Sequence, residues 1–235
     1  MPLGLRRPYI QVKRNSGELT YGGDQGFFKD GAKGSLDERK NAMGCGVVAF
    51  SDLLLYLGND SREKVIPENE SYVNRINTQE AYREYYNSIY HFLGGVSRKS
   101  GISGVKLAAR FNRLARREGW KLRARWGLSV GKLYSRVEEM LRRDIPVILC
   151  IPMMLLKKDQ GDGLTFYREE EGKLAKACTV SAHYVMVTGI IPKDGISFFE
   201  ISSWGKKYYV NWKEYDSLVR THFLGAFLGN IMYIK

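Results

Sequence analysis

Cysteine and histidine are scarce in this 235-residue chain, with three of each. Cys45, Cys150 and Cys178 are too few and too far apart for a disulfide framework. No Cys/His spacing fits a structural zinc site. No apolar run reaches the roughly 18 residues of a membrane span. The opening Met1-Pro-Leu-Gly-Leu-Arg-Arg-Pro8 lacks the apolar stretch of a signal peptide. A cytoplasmic location without a membrane span is therefore the expectation. Acidic residues are in deficit, 25 against 37 Lys and Arg, which leaves a net charge of +12. That balance favours anionic surroundings. The basic residues form no stripe interleaved with aromatics, and no nucleic-acid motif is present, so a solvated basic surface is expected and nucleic acid is not. The glycine pieces Gly22–Gly26 and Gly31–Gly34 lack phosphate-loop spacing and are read as loops.

Hydrophobic residues make up 44% of the chain and charged residues 26%, the composition of a globular protein with a sizeable core. The densest apolar stretch is Asn41-Ala-Met-Gly-Cys-Gly-Val-Val-Ala-Phe-Ser-Asp-Leu-Leu-Leu-Tyr-Leu57. From Val47 it contains neither Pro nor Gly until Gly58, so it reads as a buried helix beginning near Cys45. A cysteine on the first turn of a helix meets unpaired N–H groups and the positive end of the helix dipole. Cysteines so placed have pKa values of roughly 3.5 to 7.5, against about 8.5 when free.

Before this helix, only Pro8–Lys13 looks like a strand. Residues 59–77 are polar and read as a loop. Thr78-Gln-Glu80 is a helix start, followed by Tyr82, Tyr85, Tyr86, Ile89, Phe92 and Leu93 at helical spacing, a packing stripe rather than a ligand cleft. His91 beside it reads as structural. Val105–Arg117 is helical, with Val105, Ala108, Phe111, Leu114 and Ala115 on one face and Lys106, Arg110, Arg113, Arg116 and Arg117 opposite. Trp120–Trp126 is expected as a strand and Ser129–Arg143 as a helix. Ile145–Ile151 is a continuous apolar run of strand length that makes Cys150 inert filling. Residues 157–175 read as polar loop with a turn at Gly161–Gly163. Strands follow at 183–189, 197–202, 208–212 and 230–234, with a turn at Pro192–Gly195 and a short helix over Trp212–Arg220. No internal repeat is present. Helices early and strands late indicate an α+β class.

A nucleophilic cysteine needs a base, and the base an orienting partner. His183 opens a strand, whereas His222 has no strand context and His91 lies in the helical half. Pairing of 183–189 with 197–203 would bring Ser202 beside His183, where its oxygen would accept from the ring and fix the tautomer. Trp204 would roof the pair and exclude water.

The order of Cys45-Gly46, Pro146-Val-Ile-Leu149, His183-Tyr-Val-Met-Val187 and Ser202-Ser-Trp-Gly205 resembles a papain-like cysteine peptidase. His183 follows Cys45 by 138 residues, within the roughly 130–150 of the papain group. Cys45-Gly46 and Pro146–Leu149 look closest to the bacteriocin-leader-processing branch. The resemblance covers about residues 40–205. It implies a two-lobed α+β fold, a single domain over 1–235. Residues 1–40 would be an extended N-terminal segment, 41–145 a helical lobe carrying Cys45, and 146–235 an antiparallel sheet lobe carrying His183. It implies Cys45 as nucleophile, His183 as general base and acid, and Ser202 as orienter. Peptide or amide hydrolysis would run through a thioester acyl-enzyme, with a peptide or protein substrate and no metal or cofactor. The sequence departs from the family twice. Arg39 stands where the family places its oxyanion Gln, leaving Asn41 as substitute donor, and Ser202 stands where the family has Asn or Asp. These departures favour the first alternative, a degenerate relative that binds peptides without cleaving them. Charge alone favours the second, a basic nucleic-acid-binding or scaffold domain.

Overall fold

The computed structural model describes residues 2–58, 76–152, 163–220 and 224–235. Its helices are α1 (Leu36–Met43), α2 (Cys45–Gly58), α3 (Gln79–Phe92), α4 (Gly104–Arg117), α5 (Leu133–Arg142), α6 (Trp212–Arg220) and α7 (Gly225–Leu228). Its strands are β1 (Leu3–Gly4), β2 (Ala124–Trp126), β3 (Val147–Ile151), β4 (Leu164–Glu170), β5 (Lys173–Val180), β6 (His183–Lys193), β7 (Ile196–Ser203), β8 (Lys206–Asn211) and β9 (Ile231–Ile234). The α+β class holds. The large sheet runs β2-β9-β3-β6-β7-β8-β4-β5, with β1 added to β6. Among the described residues, no single helix is long and apolar enough to cross a membrane.

The chain divides into two compact units. The helical unit comprises Tyr9–Arg125, Ser203–Lys206 and Ile234–Lys235; the sheet unit comprises the residues up to Pro8, Trp126–Ser202 and Lys207–Tyr233. The expected boundary at 145/146 therefore falls near Trp126. Helix α5 belongs with the strands because it packs on β1, β3 and β6, with its Leu133, Val137, Met140 and Leu141 buried. Residues 9–40 are not an extended surface segment. Val12, Phe27 and Phe28 are buried in the helical unit, and Pro8–Lys13 makes isolated bridges from Lys13 to Leu19 and Thr78 instead of a strand.

In the helical unit, α2 is the central element: Val47, Phe50, Leu53, Leu55 and Tyr56 are almost wholly inaccessible. A carboxylate sits in this apolar helix. Asp52 accepts hydrogen bonds from the Tyr9 hydroxyl at 3.0 Å, the Tyr82 hydroxyl at 2.7 Å and the Gly23 backbone N–H at 2.9 Å. It thereby ties the N-terminal segment and α3 to α2. Gly23 is required there, because a β-carbon on it would lie 1.9 Å from the Tyr82 hydroxyl oxygen. Helix α3 starts as expected, with the Thr78 hydroxyl accepting from the Ala81 N–H at 3.3 Å. The expected loop at 59–77 falls mostly outside the described residues, as do Gly161 and Asp162 of the expected turn.

Among the strands, three tight hairpins share one chemistry. Glu171–Gly172, Asp194–Gly195 and Trp204–Gly205 connect β4 to β5, β6 to β7 and β7 to β8, and all six residues have positive φ, between 50° and 76°. Two-residue loops with both residues left-handed match the twist of the flanking strands. The β4–β5 hairpin replaces the polar loop expected over 157–175. Its outer end, Arg168 to Leu174, has both faces largely in solvent, so no apolar alternation marks it. Strand β6 is buried on both faces over its first half, between β3 and β7. On β7, Phe199 packs against Tyr134 of α5 at 5.8 Å and Trp212 of α6 at 5.3 Å.

Burial lifts the Asp52 carboxyl from 3.8 to about 6, outweighing the three donors, which act in the opposite direction. A carboxyl with a raised folded pKa favours the folded state below its unfolded value, and that advantage is lost as pH rises through the folded value. Asp52 should therefore cost the fold about 3 kcal/mol between pH 4 and 7. Denaturant unfolding of wild type and Asp52→Asn checks this: their difference in stability should shift against wild type over that window, and a constant difference would refute it.

Candidate functional site

Helix α1 is capped by Ser35, whose hydroxyl accepts from the Glu38 N–H at 3.1 Å. It ends at Gly44, and the chain turns by 78° into α2. The Gly44 carbonyl accepts from Val47 at 2.9 Å and Val48 at 3.0 Å and so begins the new helix. Only glycine fits at this corner, since a β-carbon would lie 2.1 Å from the Lys40 carbonyl oxygen and 2.3 Å from the Tyr86 hydroxyl. Cys45 is the first residue of α2 and is half-buried, as the apolar pattern predicts. The Gly44 carbonyl thus takes up the Val47 and Val48 N–H groups, and the positive end of the helix dipole at this turn attracts negative charge.

Around this corner, two buried donors have no hydrogen-bond partner among the described residues: the Arg39 Nε and the Tyr86 hydroxyl. Tyr86 is fully buried on α3, with its ring 4.7 Å from Phe28 and 6.3 Å from Tyr90. Burial, and next the neighbouring Cys45, hold its phenol well above the ordinary value, so it stays a protonated donor. Lys40 is also buried here. It pairs with Asp37 at 2.7 Å and lies 4.9 Å over the Phe28 ring. Asn41 is half-buried in the last turn of α1. By its helical spacing Tyr86 belongs to a packing stripe, and nothing in that stripe distinguishes its hydroxyl from those of its neighbours. Trp204 is half-buried, with φ of 50° in its two-residue turn. The following Gly205 is fixed within the helical unit by Tyr21 N–H to its carbonyl at 2.8 Å and its own N–H to Gly23 at 3.1 Å.

His183 and Ser202 lie in the sheet unit. His183 is 7% exposed and stands opposite Ile151 of β3. Burial pushes its imidazole from 6.5 down to about 3, so the ring is neutral at physiological pH. Strands β6 and β7 do pair, but Ser202 stands opposite Met186, three residues from His183. Side chains alternate along a strand, so Ser202 shares the Met186 face and His183 occupies the other, with Val185 and Val187. The Asp194–Gly195 turn and an irregularity between Val187 and Gly189 set this register. Ser203 alternates to the face that Ile201 shares with Val187.

The other thiols differ from Cys45. Cys150 is buried in β3, and burial raises the half-buried Cys178 thiol, with Arg168 offsetting part of the rise. His91 is exposed, and His222 lies outside the described residues. Among the described residues, no group of His, Cys, Asp and Glu can hold a metal ion. No family model, curated protein or solved structure matches the chain.

Two measurements check these assignments. Limiting iodoacetamide at about pH 6, below the free-thiol value, should modify Cys45 before Cys150 and Cys178; mass mapping that finds either of those first would refute the order. In nitrogen-resolved NMR, the His183 ring should keep the signature of the neutral imidazole from pH 8 down to about 4, as burial demands. A transition near pH 6.5 would show that the ring is not desolvated.

Proposed function

We propose that the chain is a thiol hydrolase acting on peptide or amide bonds, with Cys45 as nucleophile and His183 as general base and acid. The observation that carries the reading is the corner at Gly44: a half-buried cysteine opens a buried helix, beside a fully buried phenol that has no partner among the described residues. The neutral His183 would take the Cys45 proton as the thiolate attacks the carbonyl carbon. The tetrahedral oxyanion would draw on the N–H groups of the first turn of α2 and on the Tyr86 hydroxyl. Asn41 is the further donor, and Tyr86 supplies what the Gln-to-Arg39 departure removes. His183 would return the proton to the leaving amine, and water would then hydrolyse the thioester. Ser202 and Ser203 are the two hydroxyls in line to orient the ring. The face alternation of β7 favours Ser203. Trp204 would shield the pair from water. A papain-like arrangement of two lobes, a peptide or protein substrate and a cytoplasmic setting belong to the same proposal.

Binding without cleavage is the second reading. It is favoured by the depressed His183 pKa, which opposes a standing thiolate–imidazolium pair, and by Arg39 at the oxyanion position. One experiment separates them. Wild type should hydrolyse a mixed peptide library, Cys45→Ala should not, and Tyr86→Phe should lower kcat by about 10²–10³ if the phenol is an oxyanion donor. Ser203→Ala should reduce turnover more than Ser202→Ala. Cleavage surviving in Cys45→Ala would sink the hydrolase reading, and peptide binding without any cleavage by wild type would establish the second.

A further inference from the structure

The helical unit carries a cavity of about 400 Å³ lined by Phe92, Arg110, Arg113, Leu114 and Arg117. The three arginines fall at i, i+3 and i+7 of α4, one face of the helix. Like charges at that spacing repel, and the chain does little to offset them. Arg117 bonds Glu118 through Nε at 2.6 Å, whereas Arg110 and Arg113 have no carboxylate partner among the described residues. On other helices Arg83 pairs with Asp37 and Arg220 with Asp216, whereas Arg136, like Arg110 and Arg113, has no carboxylate among the described residues. Arg110 is half-buried, and its guanidinium lies 6.0 Å over the Phe92 ring, which presets its orientation. Phe92 and Leu114 are half-buried and give the cavity an apolar floor between cationic walls.

We infer that this cavity is a binding site for a small organic phosphate. Guanidinium forks fit the oxygens of a phosphate or carboxylate in pairs. Arg110 and Arg113, without a carboxylate among the described residues, and Arg117 beside them call for more than one negative charge, and a phosphate monoester carries close to two at neutral pH with three acceptor oxygens. An apolar body on the phosphate would cover Phe92 and Leu114. The volume lies within the roughly 300–1,000 Å³ range of small-molecule sites.

Calorimetric titration of the full chain at low salt tests the assignment with three probes: phenyl phosphate, inorganic phosphate and benzoate. Phenyl phosphate should bind at least about tenfold more tightly than inorganic phosphate, which lacks the apolar body. It should exceed benzoate by a similar factor, since benzoate fills only one fork. Arg113→Gln, at an exposed position that leaves the packing intact, should weaken phenyl phosphate about tenfold or more. Arg110→Gln should do the same, while Arg125→Gln on β2 should not. Equal affinity for benzoate, binding that survives the Arg110→Gln/Arg113→Gln double variant, or no binding at millimolar phenyl phosphate would overturn the inference. So would an oligonucleotide that displaces phenyl phosphate and depends equally on Arg113, since the groove would then belong to a nucleic-acid backbone.

Discussion

A single buried carboxylate organises the helical unit. Asp52 interrupts the most apolar helix of the chain and is stable there only because three donors converge on it. Those donors come from three separate stretches of sequence. Tyr9 and Gly23 belong to the N-terminal segment and Tyr82 to α3, so one acceptor fixes both against α2. The arrangement also dictates a glycine, since Tyr82 reaches the carboxylate across the place where a β-carbon at position 23 would stand. Residues 9–40 are therefore structured, although their composition is that of a loop. Replacing the carboxylate leaves two buried phenols and a backbone N–H seeking acceptors, which is costlier than losing a surface pair.

The same economy of space shapes the start of α2. Gly44 lets two helices meet at 78° and lets the Tyr86 hydroxyl approach the backbone one residue before Cys45. That hydroxyl is buried and has no partner among the described residues, an unfavourable state for a polar group. Strain or an unmet polar group held by surrounding structure often accompanies function. Here the holding structure is specific: Phe28 and Tyr90 flank the Tyr86 ring, and Lys40 is in turn pinned by Asp37.

Among the strands, turn chemistry does the corresponding work. Left-handed pairs ending in glycine close three hairpins and leave little freedom of register. A shift of one residue would exchange the faces of β7 and move Phe199 away from Tyr134 and Trp212. Because that aromatic contact holds the register, it also decides which serine shares a face with His183.

Where apolar pattern and turn residues speak together, the sequence alone determined the outcome. The start of α2 at Cys45, the Thr78 cap, the Trp212–Arg220 helix and the hairpin about Asp194–Gly195 follow from periodicities of 3.6 and 2 and from glycine. The α+β class follows from their order. Tertiary structure decided what depends on partners distant in sequence. Asp52 inside an apolar run says nothing of Tyr9, Gly23 and Tyr82. The tyrosine stripe of α3 does not reveal that one hydroxyl meets Asp52 while another, four residues on, meets no partner among the described residues. The β4–β5 hairpin was hidden because strands solvated on both faces carry no alternation. The placing of Ser202 turned on one irregularity between Val187 and Gly189, which no local propensity records. Local free energies fix elements within a turn or two of chain. Burial, register and the satisfaction of polar groups are settled only when remote segments compete for the same space.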